Sequence, residues 1–302
     1  MATAHPLKIA VVGCTGFSGR HITIELVNRG HDVTGISRSP VNIGKAANFS
    51  PLALDVVQTP TSNLGDVFAN FDVIINAFGP HTGSDFSYMT YLESIRKIVM
   101  AVKVATSDKR PYMINIGGTG SLIVKSLGIN VVDHDAFWIQ YVRSIAQSEV
   151  HVHYFKEIIP QLGDMLQNYR NAIMATKHSK PTPDQLAYIK EYEVMAAGFD
   201  HDFIRACRTS FMFFEGNRSF DWTFISPPAM YCPGKRTGSY IAHSSGFLPE
   251  PKNADDLLPG IAASDLAIAI ADEAETRERM FLHWTATADQ SDDSVVPTYP
   301  SL

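Results

Sequence analysis

Cysteine is scarce in this sequence: there are three, Cys14, Cys207 and Cys232, an odd number set far apart. That pattern excludes a disulfide scaffold and a zinc knuckle. Positive charge is not in surplus either. The 302 residues carry 25 Lys and Arg against 31 Asp and Glu, a formal charge of −6, whereas gripping a polyanion needs a cationic surface. The apolar run Ile9–Val12 is too short for a membrane span or a secretory apolar region. Nucleic acid and membrane are therefore excluded as partners, a small molecule is the expected ligand, and the expected location is cytoplasmic. In that setting the Asn-x-Ser triplets at Asn48 and Asn217 are chance matches rather than glycan sites.

What is present is the alternation of an α/β protein. Strands are predicted at Lys8–Val12, Asp32–Ile36, Leu52–Val56, Asp72–Ala77 and Tyr112–Ile116, with helices from about Ser18 and over Tyr88–Thr106. Strands alternating with helices predict a Rossmann-type, doubly wound parallel sheet. The next strand, Asp221–Ile225, comes only after a stretch from Asp133 to Gly216 that reads as helical, with Pro160, Pro181 and Pro183 as breakers and a periodic face Leu186/Ile189/Tyr192/Met195. The organisation expected is a dinucleotide-binding core over 1–132, a mostly helical insertion over 133–215 forming part of a substrate pocket, and final core strands, substrate loops and tail over 216–302. Ala262–Glu273 reads as a helix, Met280–Thr285 as a last strand, and the polar tail from Ala286 as loose.

The most specific motif is Gly13-Cys-Thr-Gly16-Phe-Ser-Gly19, placed between an apolar strand and a periodic helix. In such a turn one glycine makes the bend, one admits a pyrophosphate to the backbone, and one lets helix and strand pack. Gly13, Thr15, Gly16, Phe17, Ser18 and Gly19 are thus the expected phosphate cradle, completed by the helix N-terminus. No Gly-Lys-Ser/Thr follows, so this is not a nucleoside-triphosphate loop. At the end of the second strand an acid would hold a ribose 2′-hydroxyl and a base would accept a 2′-phosphate. Here Ser37-Arg38-Ser39 stands there, and Arg38, helped by its serines and Arg20, points to NADPH (NADP+) rather than NADH. Asp55 is placed to receive the adenine amino group.

These motifs, together with Asn76-Ala-Phe-Gly-Pro80, Ile116-Gly-Gly-Thr-Gly-Ser121, Asp221-Trp-Thr-Phe-Ile-Ser-Pro227 and Pro233-Gly-Lys-Arg-Thr-Gly-Ser-Tyr240, resemble the atypical short-chain dehydrogenases of the NmrA-like and NADH-flavin-reductase-like group. The likeness spans about 8–130 and 215–285, and the stretch between departs from it. It implies that Phe78, Gly79 and Pro80 border the nicotinamide ribose and that Gly118 to Ser121 lie beside the nicotinamide. Ser226 and Pro227 would close over its carboxamide side. It supplies no catalytic acid, because the Tyr-x-x-x-Lys pair of conventional members is missing from the helix after the fifth strand. The one formal match, Tyr231-Cys-Pro-Gly-Lys235, lies in a Pro/Gly loop that cannot put both side chains on one helical face.

Proton donors that could replace the pair are His81, Thr119, Ser121, His134 and Tyr141; Tyr231 could still line the pocket. Phe137-Trp138 and Phe214 fit either a stacking platform for a planar substrate or plain core. No metal is expected: Asp133-His-Asp135 and His151-Val-His153 lack converging partners. The function expected is hydride transfer from NADPH to a bulky, largely apolar or aromatic molecule such as an iminium, an enone or a flavin. A tailoring enzyme of secondary metabolism, whose redox step can trigger cyclisation, would fit. The alternatives are a redox-sensing dinucleotide binder without turnover and a redox-neutral isomerase or cyclase.

Overall fold

The computed structural model describes residues 5–79, 87–105, 110–178, 180–198, 202–251 and 256–302. Its first half alternates β1 (Lys8–Val12), α1 (Phe17–Asn28), β2 (Asp32–Ser37), β3 (Phe49–Ala53), α2 (Thr61–Phe68), β4 (Val73–Asn76), α3 (Tyr88–Val104) and β5 (Tyr112–Ile116). A small ladder, β6 (Ile123–Val124) and β7 (Ile129–Asn130), leads into five helices: α4 (Asp135–Gln147), α5 (Glu149–Ile158), α6 (Pro160–His178), α7 (Pro183–Ala197) and α8 (Asp202–Ser210). The chain then returns through β8 (Trp222–Ile225), β9 (Met230–Cys232), β10 (Ile241–His243), β11 (Gly260–Ala262), α9 (Ala263–Thr276) and β12 (His283–Thr287).

The main sheet runs in the order β10-β12-β8-β5-β4-β1-β2-β3. Every pairing in it is parallel except that of β10 with β12. Burial on both faces explains why the central strands β1, β4 and β5 read as nearly unbroken apolar runs. On β1, Ile9 and Val11 pack with Leu266 and Ile270 of α9, while Ala10 and Val12 point the other way toward Ile95 and Ile98 of α3. The inserted helices have their own core around Phe137, Trp138, Leu166 and Tyr169. Thr182 starts α7 with a reciprocal capping box to Gln185. No helix among the described residues is long and apolar enough to cross a membrane.

Several expectations are corrected. The third strand lies at Phe49–Ala53 rather than 52–56, with Pro51 inside it; β3 is the edge strand, where a missing N–H is tolerated. On α7, Leu186 is 51% and Met195 39% exposed, and the face that is buried is Tyr192 and Ala196. The last strand starts at His283, because Arg277 and Phe281 take positive φ after α9 and delay it. The tail is not loose. Asp293 accepts hydrogen bonds from Ser148 Oγ at 2.6 Å and Glu149 N at 2.5 Å, Thr298 bonds Glu157, and Leu302 N donates to the Ile43 carbonyl at 2.8 Å.

Candidate functional site

A cavity of about 1290 Å³ opens at the carboxyl ends of β1, β2, β4 and β5. Its floor is the glycine turn. Gly13 has φ +80°, and a Cβ there would stand 2.7 Å from the Ala77 carbonyl oxygen. At Gly19 a Cβ would come within 2.2 Å of the Gly13 oxygen, so this position seats α1 on β1 and does not face the cavity. Gly16 N donates to the Gly13 carbonyl at 3.0 Å, and α1 begins at the next residue with no side-chain cap. Its first-turn amides are therefore donors for an anion, reinforced by the helix dipole.

Around this floor the cavity is lined by Thr15, Phe17 and Ser18, by Ser37, Arg38 and Ser39 after β2, and by Leu54 to Gln58 after β3. Asp55 lies in that last turn and accepts from its own Val57 N at 2.9 Å. Ala77, Phe78 and Gly79 follow β4, and Ile116 and Gly117 end β5. A bare glycine turn, an open helix end and a cation beyond β2 fit a dinucleotide laid across the switch point of the sheet. Pro80 and His81 lie outside the described residues.

The opposite wall is aromatic. Phe17 meets Tyr154 of α5 at 5.0 Å and Tyr231 of β9 at 5.1 Å between ring centroids, and Phe78 stacks on Tyr91 of α3 at 6.3 Å. Phe203 and Cys207 of α8, Ile158 of α5, and Tyr299 complete it. Tyr231 donates to Ser18 Oγ at 2.8 Å, which frees the serine proton for another acceptor. Burial pushes the Tyr91, Tyr154 and Tyr231 hydroxyls up, and the Cys207 thiol to about 11. These groups stay protonated and serve as hydrogen-bond donors, not as bases.

The other candidates fall elsewhere. Phe214 is fully buried and packs on Phe220, Trp222 and Phe224. Phe137 and Trp138 are 4% exposed in the lobe core with Tyr141, whose hydroxyl burial also pushes up. None of the four lines the cavity, so of the expected substrate contacts only Tyr231 does. His134 is the N-cap residue of α4, and its neighbour Asp133 pairs with Arg208. Thr119 donates to the Pro227 and Pro228 carbonyls at 3.1 and 2.9 Å, which ties the loop after β5 to the one after β8. Gly118 packs against Cys207.

Ser121 donates to the Gly118 carbonyl at 2.6 Å, so its oxygen accepts from Ser226 Oγ at 2.6 Å, and Ser226 in turn accepts from His283 Nε2 at 2.9 Å. One proton per hydroxyl fixes the direction of this chain and the Nε2–H tautomer of His283. It braces the loop behind the cavity rather than reaching into it. Sequence reasoning missed Tyr91, Tyr154, Phe203, Cys207 and Tyr299; of these only Tyr154 had a nearby flag, the His151-Val-His153 pair examined for metal binding.

Two histidines give the fold a pH signature. Burial lowers His283 and His151 from 6.5 to about 4. The unfolded chain therefore binds protons across that window that the folded protein refuses. Stability is full above about pH 6.5 and falls as pH drops toward about 4, at about 1.4 kcal/mol per pH unit for each group. Urea unfolding near pH 7 and pH 5 checks this, and His283→Gln should flatten the slope; equal stability at the two pH values rules it out.

Residues 9–109 match the NAD dependent epimerase/dehydratase family. Over the whole chain, uncharacterized protein YwnB of Bacillus subtilis is 24% identical across 285 residues, 94% of this chain and 99% of its own. A solved structure from Burkholderia pseudomallei, named provisionally as an exported protein, aligns with a TM-score of 0.58 at 26% identity, covering 93% of this chain and 100% of that one. SP1627 of Streptococcus pneumoniae, named provisionally as an NADH-flavin reductase, gives 0.57 at 18% identity, covering 94% and 100%. The motif resemblance is borne out at this level: the chain has the NAD(P)-binding Rossmann fold, and its first third carries the epimerase/dehydratase signature.

Proposed function

We propose that a chain with this fold and this cavity is a cytoplasmic NADPH-dependent oxidoreductase of the atypical short-chain dehydrogenase type. Its substrate is a bulky, largely apolar or aromatic small molecule of the kind tailored in secondary metabolism. The observation that carries the reading is the continuity of one cavity from the glycine turn and Arg38 to the wall of Phe17, Phe78, Tyr91, Tyr154 and Tyr231. When bound, NADPH supplies the hydride.

The chain's own contribution is positional. Gly13, Gly16 and the amides of α1 hold the pyrophosphate, and Ser37, Arg38 and Ser39 surround the ribose phosphate. The rings orient a flat substrate and exclude water. Tyr154 and Ser18, whose proton is free because its oxygen accepts from Tyr231, offer neutral O–H donors to a developing negative charge. That set suits an iminium, enone or flavin, whose reduction needs little acid strength, better than an unactivated ketone.

The test is a fluorescence titration with NADPH and NADH, followed by acceptor addition while absorbance at the nicotinamide band is recorded. Oxidation that depends on the acceptor supports the reductase; tight binding with no turnover across iminium, enone and flavin acceptors points to a dinucleotide sensor. Arg38→Ala should weaken NADPH by about ten- to a hundredfold, the worth of a charge-assisted phosphate contact, and leave NADH nearly unchanged. Equal losses for the two cofactors would remove Arg38 from the phosphate.

A further inference from the structure

Arg20 sits on α1 directly after Gly19 of the fingerprint, and only 9% of it is exposed. A guanidinium withdrawn from water needs an anion or a full set of acceptors to offset its lost hydration. Other arginines in this fold have them: Arg29 pairs with Glu25, Asp272 and Glu275, and Arg279 with Glu273. Among the described residues Arg20 has one acceptor, the Pro300 carbonyl 3.2 Å from Nη1, and the Tyr299 ring 5.6 Å from Cζ. Its Nε is buried without a hydrogen-bond partner. Cys14 lies beside it, but burial pushes that thiol up to about 11, so it brings no negative charge. The deficit lies on the Nε edge, with which arginine makes paired bonds to phosphate.

The place of this side chain matters as much as its deficit. Cys14 also bonds Ser37, and Ser37 and Tyr299 both line the cavity. Arg20 does not line it. The Tyr299 ring, 5.6 Å from the guanidinium, also lines the cavity, so it adjoins both Arg20 and the space that Arg20 does not reach. The tail is anchored on either side of that ring, by Asp293 on the first turn of α5 and by Leu302 on Ile43.

We propose that Arg20 is a second cation for a ribose 2′-phosphate, reached when the Tyr299 ring swings aside. The phosphate then engages Arg38 and takes the Nε edge that the protein leaves bare. This rests on the NADPH reading above, in which Arg20 already assists Arg38, and adds to it the contact that Arg20 makes and the ring that gates it.

Titration calorimetry with NADPH and NADH on the full chain, for the parent protein and for Arg38→Ala, Arg20→Met, Arg20→Lys and Tyr299→Ala, tests it. Arg20→Met should weaken NADPH by about tenfold or more and NADH by less than about twofold. Arg20→Lys keeps the charge but not the planar fork and should lose several-fold, which keeps the test open if Arg20→Met does not fold. Tyr299→Ala should strengthen NADPH a few-fold relative to NADH by removing the cost of moving the ring. If Arg38→Ala discriminates between the cofactors and the Arg20 variants do not, the second-cation proposal fails alone. A Tyr299→Ala protein with weakened NADPH binding overturns the gate. A parent protein without NADPH preference overturns the cofactor reading and this one with it.

Discussion

Gly16→Val is expected to fold and to lose NADPH and NADH alike, by on the order of a hundredfold or more, the equivalent of about 3 kcal/mol of binding. Gly16 has φ −72° and ψ 171°, extended backbone open to any residue. A Cβ there meets only the Gly13 oxygen, at 3.3 Å, which asks the turn to give by a few tenths of an ångström. What the valine fills is the cavity, at the point where the turn is bare for a pyrophosphate. Gly19 makes the contrast. Its Cβ would meet the Gly13 oxygen at 2.2 Å and Cys14 Cα at 3.1 Å, so Gly19→Ala drives α1 off β1 and costs about 2–3 kcal/mol of stability. Thermal unfolding and cofactor titration on the two variants separate lost ligand space from lost fold. Normal NADPH affinity in Gly16→Val would take the pyrophosphate away from this turn.

That contrast also marks what the sequence could tell. The glycine spacing between an apolar strand and a periodic helix is local, so the cradle was legible from Gly13 to Gly19. The core strands were legible because a parallel strand buried on both faces is mostly apolar, as Ile9–Val12 is throughout and Tyr112–Ile116 is apart from Asn115. Which apolar residues face a ligand was not legible. Phe214 and Tyr154 are both aromatic residues of the region between β5 and β8, yet one is sealed under Trp222 and the other walls the cavity. The choice between them is made by how helices pack on a distant sheet, and no periodicity encodes it. Tyr299 was invisible for a related reason. A polar tail reads as loose, and the donors it finds on α5 and Arg20 and the acceptor it finds at Ile43 hold it in the cavity wall. Thr119 and Ser121, candidate proton donors, and Ser226, expected over the carboxamide, make hydrogen bonds that brace their loops, and a hydroxyl that braces a loop has the same sequence signature as one that meets a ligand.

The remaining large effect lies under the site, in the carboxylate that ties its sheet to its last helix. Glu273 is fully buried in α9, accepts from the Tyr112 hydroxyl of β5 at 2.5 Å, and receives both Arg279 N at 3.0 Å and Arg279 Nη1 at 3.2 Å. The same arginine lies over the Trp284 ring of β12 at 4.7 Å. Its Nε already lacks a partner, and beside Glu273 its guanidinium has only the more distant carboxylate of Glu278, at 3.8 Å. Glu273→Ala should cost about 3 kcal/mol, because it leaves a buried phenol unpaired and a half-buried guanidinium with Glu278 alone. Most of that loss is the penalty on the partners left behind rather than the worth of the pair. Glu273→Leu combined with Arg279→Met should therefore recover a large share of the stability that Glu273→Ala loses, since an apolar pair of similar volume leaves no charge behind. Urea unfolding of the single and double variants decides it. If Glu273→Ala costs less than about 1 kcal/mol, the carboxylate is not what joins the amino ends of β5 and β12 to α9, and apolar packing alone holds them.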